Sequence, residues 1–85
     1  MKFNYNKKYI KHLQKMSLNI QEKAWISLAK YQDWIHDKNL NLHKLTWKLK
    51  KYWSINVTWD IRILLNPKTW EIVDVINIWT HSELY

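Results

Sequence analysis

Five side chains could together cleave a phosphodiester bond: those of His43, Asp60, Arg62, His81 and Tyr85. An imidazole can take up or release a proton near neutral pH, which suits both general base and general acid. A carboxylate can accept a proton or orient a histidine, and a guanidinium can hold a phosphate through paired hydrogen bonds. RNA can be cut this way without a metal, because its own 2′-hydroxyl attacks the adjacent phosphorus once a base removes its proton.

The charge of the chain favours a polyanionic partner. Fourteen Lys and Arg residues against seven Asp and Glu give a net charge of +7 and a pI of about 9.7. Lysine predominates, with Arg62 the only arginine, which suits general attraction to phosphates better than reading of base edges. The lysines just before the meander form a basic cluster that could bind RNA: Lys44, Lys48, Lys50 and Lys51. The alternative is that this cluster is only a solvated face.

The chain length, the hydropathy and the cysteine count restrict the class of protein. Eighty-five residues predict a single domain, 1–85, with a thin core and no separate cofactor domain. No apolar run approaches the roughly 20 residues of a membrane span, and the N-terminus lacks the features of a secretory signal. The absence of cysteine excludes disulfides and thiolate chemistry but constrains the compartment only weakly, so the cytoplasm is the default expectation. No cofactor is expected. A metal site built from His36, His43 and carboxylates lacks the usual ligand spacing.

Hydrophobic periodicity predicts a short strand over residues 1–5 and then two helices. Asn6 is placed to cap the first helix, and Asn19, with Glu22 three residues later, to cap the second, which should run from about residue 20 to residue 36. Apolar stripes at helical spacing mark their buried faces: Tyr9, Ile10, Leu13 and Met16 in the first, and Ile20, Ala24, Leu28, Tyr31 and Ile35 in the second. His12 and His36 are expected to be solvated helix residues.

From Tyr52 onward the hydrophobic period changes to two, which predicts three antiparallel strands joined by short turns. The expected architecture is α+β, with the helical hairpin packed on one face of a meander of three or four strands. His43 precedes the first strand of this meander, Asp60 begins the second and His81 follows the third. An antiparallel meander can bring such strand ends together.

Four segments carry a resemblance to a known family: His43 to Thr46, Leu49 to Ile55, Asp60 to Arg62, and the closing Thr80 to Tyr85. Together they resemble the RelE/ParE toxin superfamily, and the closing Thr-His-x-x-Leu-Tyr is most similar to its YafQ-like mRNA interferases. The predicted element order also matches that fold.

The resemblance implies a ribosome-dependent endoribonuclease, the toxin of a type II toxin–antitoxin system, whose partners would be a cognate antitoxin and the ribosome with its mRNA. It implies that His81 is a general acid or base, with His43 as the second proton-transfer group. Asp60 would be a base or orient a histidine, Arg62 would hold the phosphate, and Tyr85 would stack on a base or position a phosphate.

The sequence departs from the YafQ-like pattern at two positions. Asn56 stands where that branch has a further histidine, and Asn77 stands where it has an arginine. One proton-transfer group and the phosphate clamp of that branch are therefore not matched at these positions, and Asn56 is expected to be an RNA-binding residue. Alternatives remain for the other candidates, since Asp60 could be a turn former and Arg62 a structural ion-pair partner.

The chain contains no glycine and seven tryptophans. The resemblance implies glycine at four of the tryptophans: Trp47, Trp59, Trp70 and Trp79. Two of these, Trp59 and Trp70, lie in predicted turns that favour positive φ. UGA codons are read as tryptophan in some genetic codes and as glycine in others, so these tryptophans could be mis-decoded glycines. UGG codons at these positions would exclude this explanation.

Three other functions remain open. A ParE-like toxin would act on DNA gyrase and cut nothing, which the closing histidine motif argues against. A non-catalytic RNA-binding remnant would account for Asn56 and Asn77. A membrane-surface peptide rich in lysine and tryptophan is disfavoured, because the alternating strands and helical stripes describe a packed domain.

Overall fold

A computed structural model of the chain describes residues 1–33, 42–45, 51–69 and 71–80. Its elements are β1 (Lys2–Tyr5), α1 (Lys7–Gln14), α2 (Leu18–Gln32), β2 (His43–Lys44), β3 (Trp53–Asn56), β4 (Ile61–Pro67) and β5 (Ile72–Thr80). The strands form one sheet in the order β1-β5-β4-β3-β2. The predicted α+β fold is confirmed.

The two helices begin at capping residues, one predicted and one not. The side chain of Asn6 accepts a hydrogen bond from the backbone nitrogen of Lys8 at 2.8 Å, as its sequence position indicates. The predicted cap at Asn19 is wrong: α2 begins at Leu18, and the Ser17 hydroxyl accepts from the nitrogen of Ile20 at 3.3 Å. Both residue types cap helices well, so composition alone does not choose between them.

The main core lies between the two helices and one face of the sheet. Its buried members are Tyr9, Ala24, Leu28, Ile55, Ile63, Leu65, Val73, Val75 and Ile78. Ala24, Leu28 and the partly buried Tyr31 confirm the predicted α2 stripe at those positions. Ile20 is half-buried and is not a member of this core, and Ile35 lies outside the described residues. Ile10 is 42% exposed, contrary to the stripe predicted for α1, because it is rotated away from the line joining Tyr9 and Leu13.

The sheet is antiparallel except at β1, which runs parallel to β5 and pairs Phe3 with Val73. The meander β3–β4–β5 has the short links that the sequence predicts, and β2 adds an edge strand in which His43 pairs with Ser54. A bulge interrupts the β4–β5 pairing: Leu64 faces Asn77, whereas Leu65 faces Val75.

A second, smaller cluster covers the sheet face opposite the helices. Leu45 and Leu64 are buried there, against Tyr52, Ile76 and Trp79. Along β4 and β5, the side chains of this cluster alternate with those of the main core, because successive residues of a strand point to opposite faces of the sheet.

Two of the four tryptophans that could be glycines lie within the described residues. Trp59 is 86% exposed at the β3–β4 turn, and Trp79 is half-buried in the second cluster. Trp47 and Trp70 lie outside the described residues. Within those residues no helix is long and apolar enough to cross a membrane.

Candidate active site

Arg62 lies on the sheet face opposite the helices. Its neighbours Ile61 and Ile63 pack on the helical side, and side chains alternate along a strand, so Arg62 points the other way. Its Nε and Nη1 atoms are buried and have no hydrogen-bond partner in the described part of the chain. A buried cationic donor without a partner is unfavourable in the free protein and suited to an anionic ligand.

Asn56 is the direct cross-strand partner of Arg62. Its Oδ1 atom is also buried and makes no hydrogen bond to any described residue. The Asn56 backbone is fixed from the helical side, where the Ser27 hydroxyl donates to the Asn56 carbonyl oxygen at 2.8 Å. The sheet therefore places unpartnered guanidinium donors next to an unpartnered amide acceptor.

Asp60 is held at the β3–β4 turn by Thr58. The Thr58 hydroxyl donates to Asp60 Oδ1 at 2.9 Å and accepts from the backbone nitrogen of Ile61 at 3.1 Å. Both roles considered for Asp60 fit this geometry: it is part of the turn, and its carboxylate is fixed next to the start of β4. Sequence reasoning missed Thr58, whose only signal was its position two residues before the carboxylate.

The closing motif follows directly from β5. Thr80, the last residue of that strand, pairs with Ile61, and Trp79 pairs with Arg62. His81 and Tyr85 lie outside the described residues, so their positions remain predictions. The end of β5 nevertheless reaches the same end of the sheet as Asp60 and Arg62.

His43 occupies the edge strand β2, opposite Ser54, and only its backbone is described. Ser54 lies two residues before Asn56 on β3, and strand spacing puts the backbone of His43 roughly 12 Å from that of Arg62. The Ser54 hydroxyl oxygen is buried without a hydrogen-bond partner among the described residues, and sequence reasoning missed it. No motif marks it beyond strand alternation.

Of the predicted basic cluster, Lys44 and Lys51 are described, and Lys48 and Lys50 lie outside the described residues. Both described lysines are exposed. Lys44 pairs with Trp53, which packs on the helical side, so Lys44 belongs to the opposite face from Arg62. The Lys51 ammonium lies 5.2 Å from the centre of the Tyr52 ring, a cation–π distance.

Several solved structures resemble this arrangement over nearly the whole chain. A YoeB/ParE toxin from Agrobacterium tumefaciens matches with a TM-score of 0.78 at 16% identity, covering 95% of this chain and 99% of that one. YafQ from E. coli strain BL21(DE3) matches with a TM-score of 0.74 at 18% identity, covering 99% of this chain and 97% of that one. The chain has the fold of the RelE/ParE-like toxins. HP0894 from Helicobacter pylori matches with a TM-score of 0.72 at 20% identity, and the match covers 100% of this chain and 99% of that one.

These likenesses concern the fold, since the sequences have diverged widely. No protein-family model and no curated protein sequence matches the chain. The RelE/ParE-like fold explains why residues far apart in sequence meet at one end of the sheet, and the chemistry has to be argued from the residues themselves.

The fold also has an open cleft of about 420 Å³ between α2 and the β3–β4 turn. Lys23 and Lys30 of α2 line it together with Thr58 and Trp59, and no acidic side chain from the described part of the chain does. Within the described residues, no group of three or more histidine or acidic side chains is placed to hold a metal ion.

Proposed function

We propose that this chain is the toxin of a type II toxin–antitoxin pair and that it cleaves mRNA on the ribosome by metal-independent attack of the 2′-hydroxyl. The observation that carries the proposal is the pairing of Arg62 with Asn56. Both side chains have buried hydrogen-bonding atoms without partners among the described residues. An RNA backbone offers what both lack, an anionic phosphate next to a ribose hydroxyl.

In this mechanism the Nε and Nη1 donors of Arg62 bind the scissile phosphate and stabilise the charge that develops on it. Oδ1 of Asn56 accepts a hydrogen bond from the attacking 2′-hydroxyl and orients it. An amide cannot take up the hydroxyl proton, so the base has to be another residue. Asp60 and the two motif histidines, His43 and His81, are the candidates.

The strand register supports a role for His81. It is bonded to Thr80, whose partner Ile61 is itself flanked by Asp60 and Arg62. Covalent geometry and strand pairing limit the Cα–Cα distance from His81 to either residue to about 13 Å. This limit is compatible with His81 acting as the proton donor for the 5′-oxygen leaving group.

The partners follow from charge and from the fold. A net charge of +7 suits the RNA-rich decoding region of a ribosome, and the cytoplasm is the compartment in which it would act. YafQ has been solved as the E. coli DinJ–YafQ toxin–antitoxin complex, which matches this chain with a TM-score of 0.71. We infer that a cognate antitoxin protein binds and neutralises this chain.

A cell-free translation system tests the proposal. Added chain should cut the messenger at codon-dependent positions, and the cuts should vanish with His81→Ala or Arg62→Ala. Lys68→Ala is the control: it removes a positive charge from an exposed residue at the β4–β5 turn, at the opposite end of the sheet. An intact messenger with blocked DNA replication in cells would favour a gyrase-directed toxin instead.

A further inference from the structure

The buried side chain of Asn77 connects the β5 bulge to helix α1. Asn77 is 3% exposed, and its Oδ1 lies 2.6 Å from Nδ1 of His12 and accepts from the backbone nitrogen of Ile78 at 2.9 Å. We propose that His12 and Asn77 are positioning residues, which hold this bulge and thereby set the register that aligns Arg62 with the end of β5.

The hydrogen bonds fix which atoms meet. The backbone N–H of Ile78 is a donor, so the Asn77 atom that it contacts must be the amide oxygen. The same oxygen faces His12, so Nδ1 of His12 must carry a proton and donate it. His12 is therefore a half-buried hydrogen-bond donor, which corrects its interpretation as a solvated helix residue.

The bulge changes which side chains of β5 face the helices. Val73 and Val75 are two residues apart and both lie in the main core, as the pleat requires, but Ile78, three residues further on, lies there too. An extra residue in the strand, at Ile76, makes this possible. Without it, the pairing beyond residue 76 would shift by one and each later side chain would change faces.

The candidate active site depends on this shift. With the bulge, Arg62 faces Trp79 and Ile61 faces Thr80. Without it, Arg62 would face Ile78 and Ile61 would face Trp79, so the end of β5 would be displaced by one residue. The catalytic part of this inference rests on the proposed function, whereas the structural part, that the His12–Asn77 bond sets the register, does not.

The wild-type chain provides the first test. Nitrogen-15 NMR of the His12 ring, at a pH where the ring is neutral, should show a protonated Nδ1 and a bare Nε2. The opposite tautomer would overturn the pairing, and this measurement requires neither a variant nor RNA.

Matched variants provide the second test. His12→Phe keeps a ring but removes the donor, whereas His12→Asn keeps an amide nitrogen near the position of Nδ1; Gln14→Ala, an exposed residue of the same helix, is the control. Cross-strand NOEs between residues 62 and 79 report the register. We expect them to be lost in His12→Phe, and to be retained in His12→Asn and in the control.

In the cleavage assay, His12→Phe should lower kcat at least ten-fold and change KM less than two-fold, and His12→Asn should restore most of kcat. NOEs and kcat that remain at wild-type values in His12→Phe would overturn the inference. If the wild-type chain cuts no messenger, the proposed function fails, and the NOEs still decide whether this pair sets the register.

Discussion

Replacing Arg62 with methionine should make the protein more stable while abolishing its proposed activity. The guanidinium leaves two buried donors, Nε and Nη1, without partners among the described residues. An unsatisfied buried polar group costs about 1–3 kcal/mol, and more when it is charged. Methionine keeps the apolar stem of the side chain and removes both donors, so the free energy of unfolding should rise by about 1–3 kcal/mol.

Urea denaturation followed by tryptophan fluorescence measures this change. The transition midpoint should rise at an unchanged m-value, and Tm should rise by roughly 4–8 °C for each kcal/mol. Lys68→Met is the matched control. The Lys68 ammonium lies 3.7 Å from a carboxylate oxygen of Asp74 at the surface, and an exposed pair of this kind contributes about 0–1 kcal/mol.

A ligand experiment separates the anion-binding role from simple desolvation. Inorganic phosphate should stabilise the wild type, because it binds the folded state and supplies acceptors to Arg62. It should have little effect on Arg62→Met, and cleavage by that variant should fall by about 10²–10³-fold. The reasoning is refuted if Arg62→Met is less stable than the wild type, because the guanidinium would then be satisfied in solution.

Three further outcomes are expected. Burial raises the pKa of Tyr9 to about 12, so the folded state retains this proton when the unfolded state loses it. Stability should therefore fall between about pH 10 and 12, by about 3 kcal/mol relative to Tyr9→Phe in alkaline denaturation titrations. Ser17→Ala should cost about 1 kcal/mol in urea denaturation because it removes the α2 cap, and Asn19→Ala should cost far less. Ser27→Ala should cost about 1 kcal/mol in the same assay through its lost bond to the Asn56 carbonyl, and an unchanged midpoint would argue against that bond.

The sequence predicted most of the secondary structure, because its signals are local. Asn6 caps α1, the α2 stripe faces the core, and the period-two pattern produces β3, β4 and β5. The wrong prediction of the α2 cap concerned a choice between equivalent local signals. Ser17 and Asn19 are both good caps, and α2 uses Ser17.

Contacts between distant residues could not be predicted in the same way. The parallel pairing of β1 with β5 joins residues about seventy positions apart, and the His12–Asn77 contact joins residues 65 apart. Periodicity gave no sign of either, nor of the bulge that brings Ile78 into the core. His12 was assigned to solvent because helical spacing does not show what packs against a polar residue.

The sequence alone determined which chemical groups are available, since residue types and their order fix the imidazoles, the carboxylate and the single guanidinium. It also determined the helices and the meander, because capping and periodicity act over a few residues. Only the tertiary structure placed Asn56 across from Arg62 and left their polar atoms buried without partners among the described residues. The physical reason is that register and burial depend on how strands and helices pack together, and no short segment of sequence contains that information.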